Sequence, residues 1–195
     1  MDVAAALRDA EVPYLLAGSF AVWARGGHAH HTDLDFAVLP EDADRAVAVL
    51  VSETGLEPID APHEWLRKLR DVDGDVVVDL IFNPAGLPMT EEVIERGDEL
   101  EVGGMTFRVM AIDDVLTTTL FAFKEHYLDY EAALEMARTL REQIDWGDLR
   151  RRCGDYPYAK PFFTLVEELG VAERPDGRLV AGEQVREAQR SRHGS

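Results

Sequence analysis

At Ile112 the spacing of apolar residues in this 195-residue chain changes, and the change sets what it can fold into. Upstream, apolar residues come in short runs or in alternation with polar ones, broken by Gly, Pro and Asp. Downstream they recur every three or four positions. Alternation marks strands and the longer period marks helices, so strands come early and helices late. The expected class is α/β (α+β). A small mixed-sheet core occupies residues 1–111 and a helical C-terminal region residues 112–171. A mobile tail, carrying Pro175, Gly177, Gly182 and Gly194, occupies residues 172–195.

Within the first part, residues 2 to 10 read as a helix ended by Pro13, and Tyr14 to Ala17 as a buried strand. Gly18-Ser19 interrupts that run. Phe20 to Ala24 then resume as a short helix with Ser19 as its N-cap, stopped by Gly26-Gly27. Asp33 to Leu39 alternate as a second strand closed by Pro40, and residues 41 to 52 form an amphipathic helix with Ala43, Ala46, Val47 and Leu50 inward. Glu64–Arg70 and Asp75–Phe82 pair as a hairpin across Asp71 to Gly74. Glu99–Val102 and Met105–Met110 pair as a second across Gly103-Gly104. Downstream, helices run from Asp113, as cap, to about Tyr127, from Tyr130 to Gln143, from Trp146 to Cys153 and from Pro157 to Leu169.

A composition of 46% hydrophobic and 30% charged residues is that of a globular chain, and no run approaches the roughly 20 apolar residues of a membrane span. The N-terminal stretch carries acids inside its apolar residues and no basic leader, so a cytoplasmic protein is expected, with no membrane partner. Cys153 is the sole cysteine, which excludes an internal disulfide and suits an unreactive thiol. The formal charge of −18 opposes general binding to nucleic acid or anionic membranes. Local basic clusters exist at Arg67, Lys68 and Arg70 and at Arg150, Arg151 and Arg152, where the plain reading is solvated faces.

The residues that carry chemistry are Gly18-Ser19, Asp33-Leu34-Asp35 and Asp79. Residues two apart on a strand project to one side, so Asp33 and Asp35 face together while Leu34 and Phe36 turn to the core. Two carboxylates on one face suit a hard cation, and Mg²⁺, which keeps waters and substrate phosphates, suits such a pair better than a closed structural site. Asp79, flanked by Val78 and Leu80, is a carboxylate that should be costly unless neutralised, although on an amphipathic strand it can face water. Glycine at position 18 lets backbone N–H groups approach a phosphate. His28, His30 and His31 have no second cluster in sequence reach, which argues against zinc.

In this order the residues resemble the DNA polymerase beta-like nucleotidyltransferase superfamily, whose minimal form is a hydrophobic residue before Gly-Gly/Ser, a short helix, Asp-x-Asp on a strand and a third acid on a later strand. Asp113-Asp114-Val115-Leu116 leading to Phe123-Lys124-Glu125 resembles the lysine-bearing helix of stand-alone bacterial members, including the AbiEii-type toxins and small antibiotic nucleotidyltransferases. The resemblance implies that Gly18 and Ser19 hold an NTP triphosphate and that Asp33 and Asp35 bind Mg²⁺ in a two-metal site. It further implies that Asp79 is the third ligand or the base, and that Lys124 meets phosphate. Relatives often carry an arginine before Asp-x-Asp, where this chain has His30 and His31. The toxin branch implies a tRNA or other RNA acceptor and a cognate antitoxin. A small molecule or a protein as acceptor, or a catalytically silent binding relative, stays open.

Overall fold

The computed structural model describes residues 3–28, 33–73 and 75–174. His30, His31 and the tail beyond Arg174 lie outside the described residues. Strands β1 (Tyr14–Leu16), β2 (Leu34–Val38), β3 (Glu57–Ile59), β4 (Leu66–Arg70), β5 (Val77–Ile81), β6 (Asp98–Val102) and β7 (Met105–Val109) form one mixed sheet in the order β3-β4-β5-β2-β1-β7-β6. The expected mixed sheet is present. Both hairpins form, β4 with β5 and β6 with β7. The second turns on Gly103 and Gly104, both at positive φ (59° and 80°), where residues with a β-carbon are strained.

Helices α1 (Val3–Asp9) and α3 (Ala43–Thr54) pack on each other. Arg67, the register partner of Leu80, reaches Asp44 of α3 at 3.4 Å, so α3 covers the face of β4 and β5 that carries Leu69, Val78 and Leu80. The opposite face carries Asp35, Asp79 and Lys68 and receives the first residues of α2 (Gly18–Ala24). The remaining helices are α4 (Glu91–Glu95), α5 (Ile112–Ala122), α6 (Tyr130–Thr139), α7 (Trp146–Cys153) and α8 (Lys160–Glu168). Helix α5 packs on α2, α6 and α7, and α6 on α8, and one continuous core runs from Val3 to Ala172. Among the described residues no helix is long and apolar enough to cross a membrane.

Several boundaries differ from the sequence expectation. Helix α2 begins at Gly18 and is preceded by Ala17, so Ser19 lies inside its first turn and caps nothing. Ala111 precedes α5, and the Asp113 carboxylate, instead of capping it, accepts the backbone N–H of Asp145 at 3.0 Å. The same helix stops at Ala122 rather than near Tyr127, because Phe123 turns extended to enter the core. There its ring meets Tyr130 edge-on and its carbonyl accepts the Tyr156 hydroxyl at 2.6 Å. Burial of one large aromatic outweighs the local helical preference of Lys124 to Tyr127. Strand β3 and helix α4 were not anticipated. The first is a three-residue edge strand and the second a single turn started by Thr90, whose hydroxyl accepts the Val93 N–H.

Candidate active site

The carboxylates come together through strand register. Asp35 of β2 lies directly beside Asp79 of β5 in a parallel pair, and Lys68 of β4 lies opposite Asp79 across the antiparallel pair. Asp33 immediately precedes β2, and its carboxylate lies on the same surface, since the Lys68 ammonium that bonds Asp79 also reaches Asp33 Oδ2. The sheet therefore places three acids and one lysine, from three adjacent strands, on one surface.

Lys68 bridges two of those acids. Its ammonium donates to Asp79 Oδ1 at 2.5 Å and Oδ2 at 2.7 Å, and to Asp33 Oδ2 at 3.0 Å. Burial works to lower the Lys68 pKa, but the hydrogen bonds and charges of Asp79 and Asp33 outweigh it and the ammonium is held charged. Burial likewise pushes the Asp79 carboxyl upward, partly offset by its hydrogen bond to Lys68. Asp35 has neither an ion pair nor a hydrogen bond to its carboxylate among the described residues. Burial, then the neighbouring charges of Asp79 and Asp33, raise its pKa from 3.8 to about 7.

Gly18 is fixed by Asp35. Its φ is 54°, and a β-carbon built there would lie 1.9 Å from Asp35 Oδ2, so no other residue fits without moving that carboxylate. Ala17 N–H donates to the Asp35 carbonyl at 2.8 Å, which locks the end of β1 beside the same residue. The glycine turn and the Asp-x-Asp strand are thus one unit. Ser19 is half-buried next to it, and its hydroxyl has no partner among the described residues.

The donor set of Asp33, Asp35 and Asp79 is chemically that of a hard dication site, since it consists of carboxylate oxygens facing one way, one of them unneutralised. Among the described residues no three acids, histidines or cysteines are spaced to hold a metal as they stand. The Lys68 ammonium, itself a cation, lies between Asp33 and Asp79. Lys68 was read from sequence only as part of a basic cluster. Its parity on β4, the same as that of Leu66 and Arg70, was the available signal, and register with Asp79 gave it meaning.

Other singled-out residues lie elsewhere. Lys124 is exposed, on a tight turn whose backbone pairs it with Tyr127 in both directions at 2.9 Å, and among the described residues no side-chain hydrogen bond or ion pair joins it to the acids. His28 is exposed. Away from the acids, Asp145 caps α7 by accepting the Asp148 N–H at 2.9 Å. The arginine triplet is consumed internally. Arg150 pairs with Glu167 at 2.7 Å and stacks over Phe163, Arg151 pairs with Asp148, and Arg152 reaches Asp114 at 2.7 Å and Asp148 at 2.8 Å. Arg25, which the sequence did not mark, is a structural tie, donating to Met110 O at 2.8 Å and to Asp98 Oδ2 at 2.7 Å. Cys153 is fully buried against Thr117, and burial pushes its thiol pKa up.

No protein-family model and no curated protein matches this chain. Among solved structures it is similar to the antibiotic-resistance factor ANT(2'')-Ia, with a TM-score of 0.55 and 14% identity, over 86% of this chain and 92% of that one. A second similar structure is the lincosamide antibiotic adenylyltransferase LnuA in its lincomycin-bound form, at a TM-score of 0.47 and 12% identity, over 71% and 91% of the two chains. At this level of identity the first likeness is one of fold, and it extends over nearly the whole of both chains.

Proposed function

We propose that this chain is a nucleotidyltransferase that moves a nucleoside monophosphate from an NTP to the hydroxyl of a small acceptor. The observation that carries the reading is the joined unit of Gly18, Asp35 and Asp79. The tight glycine turn fits against the very carboxylate that stands in register with the third acid. The fold shared with ANT(2'')-Ia supports the same reading.

In this reading Asp33, Asp35 and Asp79 would hold Mg²⁺. When bound, the metal supplies charge neutralisation at the triphosphate and at the attacking and leaving oxygens. Gly18 and Ser19 present a backbone surface and a free hydroxyl to the phosphates. Asp79 takes the proton of the acceptor hydroxyl. The bond between acceptor oxygen and α-phosphorus forms, the α–β phosphoanhydride breaks, and pyrophosphate leaves.

A small acceptor is favoured over RNA by the state of the basic residues. Arg150, Arg151, Arg152, Arg67 and Lys68 are all paired with acids of the same chain, and Arg70 is the one member of those clusters without an ion pair among the described residues, a single charge against −18. That charge attracts cationic molecules and repels phosphate backbones. The tRNA acceptor and the antitoxin partner implied by the toxin branch, and the Lys124 phosphate contact implied by the stand-alone bacterial members, form no part of this proposal. The test incubates the protein with Mg²⁺ and α-labelled NTPs against a fractionated metabolite pool, total RNA and total protein. Label in a metabolite fraction, lost with Asp33→Asn or Asp35→Asn, is the expected result. Label confined to RNA overturns the acceptor, and no label transfer in any fraction overturns the reading.

A further inference from the structure

Lys68 is the one strong cation of the acid cluster, and it engages that cluster more closely than a surface lysine does. Three carboxylate oxygens accept from its ammonium within 3.0 Å, and both oxygens of Asp79 are among them. Its side chain is 18% exposed, compared with 34% for Asp33 and 12% for Asp79, so the bridge is largely out of water. Charge-assisted bonds of this kind are stronger than neutral ones. A dication bound to the same carboxylates would sit within a few ångströms of the ammonium, where like charges repel strongly in a half-buried site. Ammonium and dication therefore exclude each other. The four-carbon lysine stem is flexible enough to withdraw without moving β4. On withdrawal the ammonium needs another anion, and the polyanion delivered to this surface is the nucleotide triphosphate.

We propose that Lys68 is an internal counter-ion that reserves Asp33 and Asp79 until nucleotide arrives. Free metal then binds poorly, while metal and nucleotide bind cooperatively because the triphosphate receives the displaced ammonium. This rests on the nucleotidyltransferase reading and adds to it an order of binding. Reciprocity is required: whatever factor nucleotide adds to metal affinity, metal adds to nucleotide affinity. Without Lys68 the competition disappears, and so does the coupling that depends on it.

The experiment titrates Mn²⁺ against the full chain by electron paramagnetic resonance of free Mn²⁺, with and without an NTP analogue whose α–β bridge cannot be cleaved. Wild type is compared with Lys68→Met, Lys68→Gln, Lys68→Arg and Asp35→Asn, each first checked for cooperative unfolding. The expected result for wild type is weak Mn²⁺ binding that tightens at least tenfold with the analogue. Lys68→Met and Lys68→Gln should bind Mn²⁺ alone at least tenfold more tightly than wild type, with a smaller gain from the analogue. Lys68→Arg should resemble wild type, because its charge still satisfies the acids. Equal Mn²⁺ affinity in wild type and in the neutral variants, with binding abolished by Asp35→Asn, overturns the counter-ion role and leaves the metal site intact. Absence of Mn²⁺ binding in every protein, with or without analogue, overturns both.

Discussion

Replacing Asp35 by Asn should make the metal-free protein more stable while removing its chemistry, and the size of the gain should depend on pH. Asp35 has a pKa near 7 in the fold against 3.8 as its ordinary value, mainly because it is buried and then because Asp79 and Asp33 are close. The folded state therefore binds more protons than the unfolded state between those two values. Where the native state holds the extra proton, stability falls as pH rises. The penalty vanishes well below pH 3.8, grows through the interval and levels off above 7. A shift of about three units corresponds to about 4 kcal/mol at full development. Asn has the shape of the neutral acid and escapes this penalty. Urea unfolding in chelator at pH 4.5 and pH 8 measures it. The expected gain is under about 1 kcal/mol at the lower pH and about 2 to 4 kcal/mol at the higher. Saturating Mg²⁺ with NTP should stabilise wild type at pH 8 and leave Asp35→Asn unchanged. An equal effect of the substitution at both pH values, or a loss of stability at pH 8, would falsify the claim that Asp35 is held at a cost for a cation.

Four further outcomes follow from the same geometry. Gly18→Ala puts a β-carbon into the Asp35 carboxylate at a positive φ. It should cost about 1–3 kcal/mol and weaken Mn²⁺ binding, and an unchanged melting temperature with full binding would refute the contact. Asp114→Ala strips the buried partner from Arg152 and Arg96 and should cost about 3–5 kcal/mol in urea unfolding, with a loss below about 1 kcal/mol counting against it. Reversing Arg150, Arg151 and Arg152 to Glu should lower stability by breaking the ties to Glu167, Asp114 and Asp148. A stable triple variant that had lost RNA labelling would restore the RNA reading. The Cys153 thiol should stay unreactive toward a disulfide reagent in the native protein up to about pH 9 and react on unfolding; rapid native labelling would contradict its burial.

Periodicity alone fixed the class of the fold, because alternation before Ile112 and helical spacing after it are local properties that tertiary packing preserved here. The β6–β7 hairpin was legible for a similar reason, since Gly103-Gly104 admits few other turns. Asp33 and Asp35 were readable as a same-side pair from their two-residue spacing, although Asp33 stands just ahead of β2 and its bond to Lys68 is what ties it to that surface. What the sequence could not contain was which strands become neighbours. Asp79 gained its place beside Asp35, and Lys68 its place over Asp79, from the order β4-β5-β2, which only the packed sheet selects. The same limit explains Gly18, legible as a turn but not as the residue against which Asp35 is seated. It explains Lys124 as well, placed on a helix by its neighbours until burial of Phe123 ended that helix at Ala122. Charge followed this rule most closely. Composition set the total of −18, whereas pairing across distant segments decided that Arg150, Arg151 and Arg152 are structural ties and that Lys68 lies among the acids, because ion pairs depend on distances in space and not on spacing along the chain.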